Sequence, residues 1–97
     1  MDRWERTFTK NENIVRRDIA DETILVPIRG NLADMQRIFS LDPVADHIWK
    51  QLDGKRTLGE IHTALVKNFN VNTDQAALDL NEFIDELLDA NLLKEGN

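Results

Sequence analysis

The sequence predicts an α+β domain of helix-turn-helix-like form, three short N-terminal β-strands followed by three α-helices. Three observations carry this. Residues 14–41 hold β-type runs separated by turn-prone residues. Apolar residues then recur at helical spacing from Pro43 to the end of the chain. Between the two regimes, Leu41 to Ile61 (LDPVADHIWKQLDGKRTLGEI) packs two helix starts and one tight turn into twenty-one residues. Strands grouped ahead of helices, instead of alternating with them, indicate α+β. Ninety-seven residues suit one domain with a modest core, and no linker or repeat divides them.

Residues 1–13 are polar, with Trp4 and Phe8 as their aromatic anchors, and are expected to form a flexible N-terminal arm. The folded domain is then residues 14–95. Its first strand is Ile14 to Ile19, and Ala20-Asp21-Glu22 is the turn that follows. Thr23 to Ile28 is the second strand; Pro27 favours its end or an edge, because proline donates nothing to a ladder. Gly30-Asn31 lies in a connection, and Gln36 to Leu41 is the third strand, leading straight into a helix cap.

Asp42 is that cap, with Pro43 at the first helical position, where a missing N–H is harmless. Val44, Ala45, Ile48, Trp49 and Leu52 form the stripe of the first helix, which Asp53-Gly54 stops. Thr57 to Glu60 (TLGE) is a capping box for a second helix, Leu58–Phe69, striped by Leu58, Ile61, Leu65 and Phe69. Asn72 or Thr73 caps a third helix reaching Ala90, with Asp74 near its positive end. Ala76, Ala77, Leu80, Phe83, Ile84, Leu87 and Leu88 make its broad apolar face, while Leu78 falls on the acidic face beside Asn81 and Asp85. Asn91 suits a left-handed cap, after which Leu92-Leu93 returns to the core.

Composition removes several function classes. Without cysteine there is no disulfide framework and no thiolate metal site. His47 and His62 stand outside any metal-ligand pattern, and the isolated glycines form no phosphate loop, so neither metal nor cofactor is expected. No nucleophile or paired acid/base constellation is present, and the chain reads as a binding module, not an enzyme. No run approaches the roughly 18 apolar residues of a membrane span, and the first ten residues lack a signal peptide's apolar region; the expected location is the cytoplasm. The net charge of −6 is uneven: residues 1–56 carry ten bases and ten acids, residues 57–97 two bases and eight acids. A third helix with six acids and no base would repel phosphate, which argues against nucleic acid despite the two-helix turn.

Taken together, Leu41-Asp42-Pro43, Ile48-Trp49, Leu52-Asp53-Gly54, Thr57-Leu58-Gly59-Glu60-Ile61 and Phe83…Leu87…Leu92-Leu93 resemble the PqqD family in order and spacing, over about Ile14–Lys94. The family commonly has asparagine where Asp42 stands and glycine where Asn91 stands; both differences preserve capping chemistry. The resemblance implies a small winged-helix chaperone for ribosomally made, post-translationally modified peptides. Such a domain binds the leader of a precursor peptide and presents it to a modifying enzyme, often a radical S-adenosylmethionine protein. It further implies that the leader adds a strand beside the third strand and lies against the third helix.

Carried onto this chain, the implied peptide-binding residues are Gln36, Arg37, Ile38, Phe39 and Ser40 on the strand, with Leu78, Asn81 and Asp85 on the helix. The residues suit the mechanism, because a terminal strand offers an extended peptide backbone groups to pair with. The competing readings are a winged-helix DNA-binding regulator and a small protein–protein adaptor. A steep salt dependence of DNA binding would favour the first of these.

Overall fold

The computed structural model describes residues 2–27 and 39–96. In chain order, a 3₁₀ turn at Arg3–Glu5 precedes β1 (Thr7–Lys10), β2 (Ile14–Ile19), β3 (Glu22–Pro27), β4 (Phe39–Leu41), α1 (Pro43–Gln51), β5 (Asp53–Thr57), α2 (Leu58–Phe69), α3 (Thr73–Asp89) and β6 (Leu93–Glu95).

Capping chemistry sets the helical half as the spacing predicts. Asp42 accepts from the Ala45 N–H at 2.8 Å and starts α1 at Pro43. The Glu60 N–H donates to Thr57 Oγ1 at 3.2 Å while the Thr57 N–H donates to Glu60 Oε1 at 2.8 Å, completing the capping box of α2. Asn72 accepts from the N–H groups of Asp74 and Gln75 and opens α3. Asn70 (φ 44°) closes α2 in the left-handed region, and Asn91 (φ 63°) turns the chain after α3. Asparagine tolerates that backbone better than most residues.

One antiparallel sheet, in the order β2-β3-β4, contains the expected strands. β2 and β3 form a hairpin in which Ile19 faces Glu22, so Ala20-Asp21 is a two-residue turn. Ala20 takes a φ of 56° there, a position that glycine fills more easily. β4 pairs with β3 from Leu25↔Phe39 to Thr23↔Leu41. Its expected earlier residues, from Gln36 to Ile38, lie outside the described residues, as does the Gly30-Asn31 connection.

A second sheet, β5-β1-β6, corrects the expectation of a flexible arm. β1 is its central strand, antiparallel to β5 on one side and to β6 on the other, with Phe8 opposite Glu95. Phe8 is buried to 3 % exposure. The ladder extends past the strands, since the Leu58 N–H donates to the Arg6 carbonyl and the Asn11 N–H to the Leu92 carbonyl, both at 2.9 Å. Four residues reading TFTK carry little periodicity of their own, and what holds them is supplied by backbone far along the chain. The helix stop is corrected in part. Gly54 does adopt a positive φ (78°), but it sits inside β5 and not in a bare turn; a Cβ there would lie 2.8 Å from Thr9 Oγ1.

The three helices and both sheets share one core. Leu58, Ile61, Leu80, Ile84 and Leu87 are fully buried, and Trp49 is part of the same cluster. A bidentate ion pair ties the hairpin sheet to α1: Arg16 Nη2 donates to Asp46 Oδ2 at 3.0 Å and Arg16 Nε to Asp46 Oδ1. The hydrogen bonds from Arg16 hold the Asp46 carboxyl below the usual carboxylate range, against the opposing effect of burial. This pair fixes the sheet containing β4 against the helix that follows it, and so sets the geometry of the region where the two meet.

Candidate functional site

β4 is the terminal strand of its sheet among the described residues. Phe39 and Leu41 point inward, each 6 % exposed, and Ser40 points out, its hydroxyl donating to Glu22 Oε1 at 3.0 Å. Of the strand residues singled out in the sequence, Phe39 therefore contributes its side chain to the core. Ser40 is on the solvent side, and Gln36, Arg37 and Ile38 lie outside the described residues.

Just past β4, at Asp42, a groove opens between α1 and the Gln75–Phe83 stretch of α3. Its volume is about 420 Å³. Val44, Ala45 and Ile48 form the α1 wall, Ala76 and Phe83 the α3 wall, and Leu65 and Val71 line it as well. Asp42, Asn72, Gln75 and Asp79 are its polar residues. α1 and α3 each pack on α2 more closely than on one another, which leaves Val44, Ala45 and Phe83 half-buried at the edge of the core. An apolar floor with a few polar groups beside a strand edge can seat one or two apolar side chains of an extended chain.

The helix residues singled out in the sequence are not in this groove. At 100° per residue, Asp79 and Phe83 lie on one flank of the buried Ala76/Leu80/Ile84/Leu87 stripe, and Asn81 and Asp85 on the other. Arg3 occupies that second flank, donating Nη1 to Asn81 Oδ1 at 3.3 Å and pairing Nη2 with Asp85 Oδ1 at 2.8 Å. Leu78 lies opposite the core stripe and is 60 % exposed. The structure thus brings the end of β4 to the Gln75/Asp79/Phe83 flank and sets Leu78, Asn81 and Asp85 apart from it. A signal for the groove existed in the sequence, in small Ala45 on one stripe and Phe83 at the edge of another, but only the packing of α1 and α3 on α2 shows that the two lie across one groove.

Neither histidine lines the groove. His62 Nε2 is 3.0 Å from the Thr73 carbonyl and its ring is 5.4 Å from that of Trp4. His47 packs edge-on against Phe69 at 5.1 Å, with Nε2 buried and without a hydrogen-bond partner among the described residues. Among the described residues no group of three or more His, Asp or Glu is arranged to hold a metal ion, and no helix is long and apolar enough to cross a membrane.

Three comparisons bear on this geometry. The family model described as Coenzyme PQQ synthesis protein D (PqqD) matches residues 22–93. A "PqqA binding protein" of Gluconobacter oxydans (strain 621H) is 30 % identical over 87 residues, covering 77 % of this chain and 91 % of that protein. A solved structure, "TbiB1 in Complex with the TbiA(beta) Leader Peptide", superposes with a TM-score of 0.69 at 26 % identity, over 89 % of this chain and 94 % of the other.

Proposed function

The chain belongs to the PqqD family, and on that premise we propose that it is a non-catalytic chaperone that binds the leader of a ribosomally made precursor peptide. The leader adds an antiparallel or parallel strand to β4 and sends apolar side chains into the groove between α1 and α3. The observation that carries this reading is the apolar groove opening where the terminal strand ends. The relatives point the same way: one is named for binding PqqA, and the similar solved structure holds a leader peptide. Backbone pairing supplies affinity that depends little on sequence, and the groove adds side-chain selection.

The same proposal includes a second partner, a peptide-modifying enzyme of the radical S-adenosylmethionine type, to which the bound leader is presented in the cytoplasm. The chain itself then needs no cofactor, because its work is recognition and delivery.

An NMR titration with the leader of a precursor encoded beside this gene tests the reading. Shifts should cluster on residues 39–48 and on Val71, Gln75, Ala76, Asp79 and Phe83. Shifts confined to the Leu78/Asn81/Asp85 side of α3, or to the exposed side of α2, would overturn the placement. Absence of binding at millimolar peptide would overturn the function. For the second partner, the radical enzyme encoded nearby should be retained on immobilised chain, and no retention with or without leader would remove it.

A further inference from the structure

The groove is apolar on its floor but not neutral at its mouth. Asp42 and Asp79 both line it, and among the described residues no lysine, arginine or histidine does. Among the described residues each carboxylate accepts one hydrogen bond, at Oδ1: Asp42 from the Ala45 N–H at 2.8 Å, and Asp79 from Gln75 Nε2 at 2.9 Å. Neither belongs to an ion pair among the described residues, whereas Asp46, Asp53 and Asp85 do. Two exposed carboxylates thus flank a cleft of about 420 Å³ whose walls are Val44, Ile48 and Phe83. An acidic peptide entering there would meet repulsion on two sides. A cation would meet two carboxylates that pair with no cation among the described residues, next to low-dielectric walls where the attraction is screened less than in open water.

We infer that the groove selects, within the leader, an apolar residue flanked by lysine or arginine, with Asp42 and Asp79 as the charge-selecting residues. The inference rests on the proposed leader-binding role and names the chemistry of the segment that role would seat. The apolar side chain fills the space between Val44, Ile48 and Phe83; the neighbouring cation reaches back to the carboxylates at the mouth. Gln75 and Asn72, beside them, supply further hydrogen-bonding groups for the cation's surroundings.

The test uses the full chain and a displayed library of random twelve-residue peptides. Two neutralising substitutions are conservative in shape. Asp42→Asn keeps a helix cap, since asparagine caps as well as aspartate. Asp79→Asn keeps an acceptor for Gln75. Peptides selected on the native chain should pair an apolar residue with lysine or arginine, and peptides selected on the doubly substituted chain should keep the apolar residue and lose the basic one. For one selected peptide, each Asn substitution should weaken binding about two- to five-fold, the range of partly exposed ion pairs. Replacing the peptide's basic residue by glutamine should have a similar effect, and combining it with the Asn substitutions should add little more.

A third variant, Ala45→Phe, fills the groove without touching the charges. Selected peptides whose binding is blocked by Ala45→Phe, but unaffected by both Asn substitutions and free of basic enrichment, would overturn the charge selection and leave leader binding standing. Peptides indifferent to Ala45→Phe, or no peptides selected at all, would overturn the groove as the site and this inference with it. A thermal melt of each variant within a few degrees of the native chain separates these outcomes from unfolding.

Discussion

Truncating Phe8 to alanine tests the reversal at the N-terminus, where a polar arm is expected and a central strand is found. At 3 % exposure the ring is almost wholly removed from water. Burial of a large apolar side chain contributes about 2–3 kcal/mol. If half of the roughly 100 Å³ vacated by the ring stays open, the cavity adds about 1 kcal/mol at some 24 cal/mol per Å³. The expected loss is therefore about 3–4 kcal/mol, out of a total of roughly 5–15 kcal/mol for a domain of this kind. With an m-value near 1.3 kcal/mol per molar urea, the denaturation midpoint should fall by roughly 2–3 M. Leu78→Ala is the control: an exposed leucine should change stability by less than about 0.5 kcal/mol. A midpoint shift for Phe8→Ala below roughly 0.4 M, at unchanged m, would refute the buried strand and restore the arm.

Three further substitutions have outcomes fixed by the same structure. Ala20→Gly should raise the melting temperature by about 3–6 °C, because relief of the left-handed alanine (φ 56°) exceeds glycine's added chain entropy; a lower melting temperature would refute the turn geometry. Gly54→Ala should cost about 2 kcal/mol, since the new Cβ meets both a φ of 78° and Thr9 Oγ1 at 2.8 Å. Combining it with Thr9→Ala should recover only the clash, and full recovery would show that the backbone is not strained. Asp46→Asn should cost about 1 kcal/mol at pH 7. Because Arg16 depresses the folded-state pKa of Asp46, that stabilisation is present above the ordinary carboxylate pKa and is lost as pH falls through the folded value. Urea titrations at neutral and strongly acidic pH should show the difference closing, and a pH-independent difference would exclude the ion pair as its source.

The parts of the fold legible in the sequence are those whose causes are local. Asp42, Thr57 with Glu60, and Asn72 each start a helix by bonding to N–H groups within three residues, so each start is visible in a short window. The β2–β3 hairpin is legible for the same reason, its two strands being joined by two residues. β1, β5 and β6 are not, because three to five residues acquire a strand only by pairing with segments elsewhere in the chain. The site divides along the same line. Strand β4 next to its cap could be read directly. Which flank of α3 borders the groove could not, since that depends on how α1 and α3 pack on α2 and on Arg3 reaching Asn81 and Asp85 from far along the chain.

The central place of β1 also has a consequence in time. β1 ends at Lys10 and its partner β6 begins only at Leu93, so synthesis completes the one well before the other. At roughly 5–20 residues per second, β1 waits on the order of ten seconds for its second neighbour. Until β5 is made, Thr7–Lys10 has nothing on either side. Lys10 then gives it a charge, which is one way a nascent edge avoids the wrong neighbour. A chain stalled or cut short of Leu93 would carry all three helices and still lack the last strand of the second sheet. Quality control that senses an open edge would therefore detect a missing β6 at β1, far from the break.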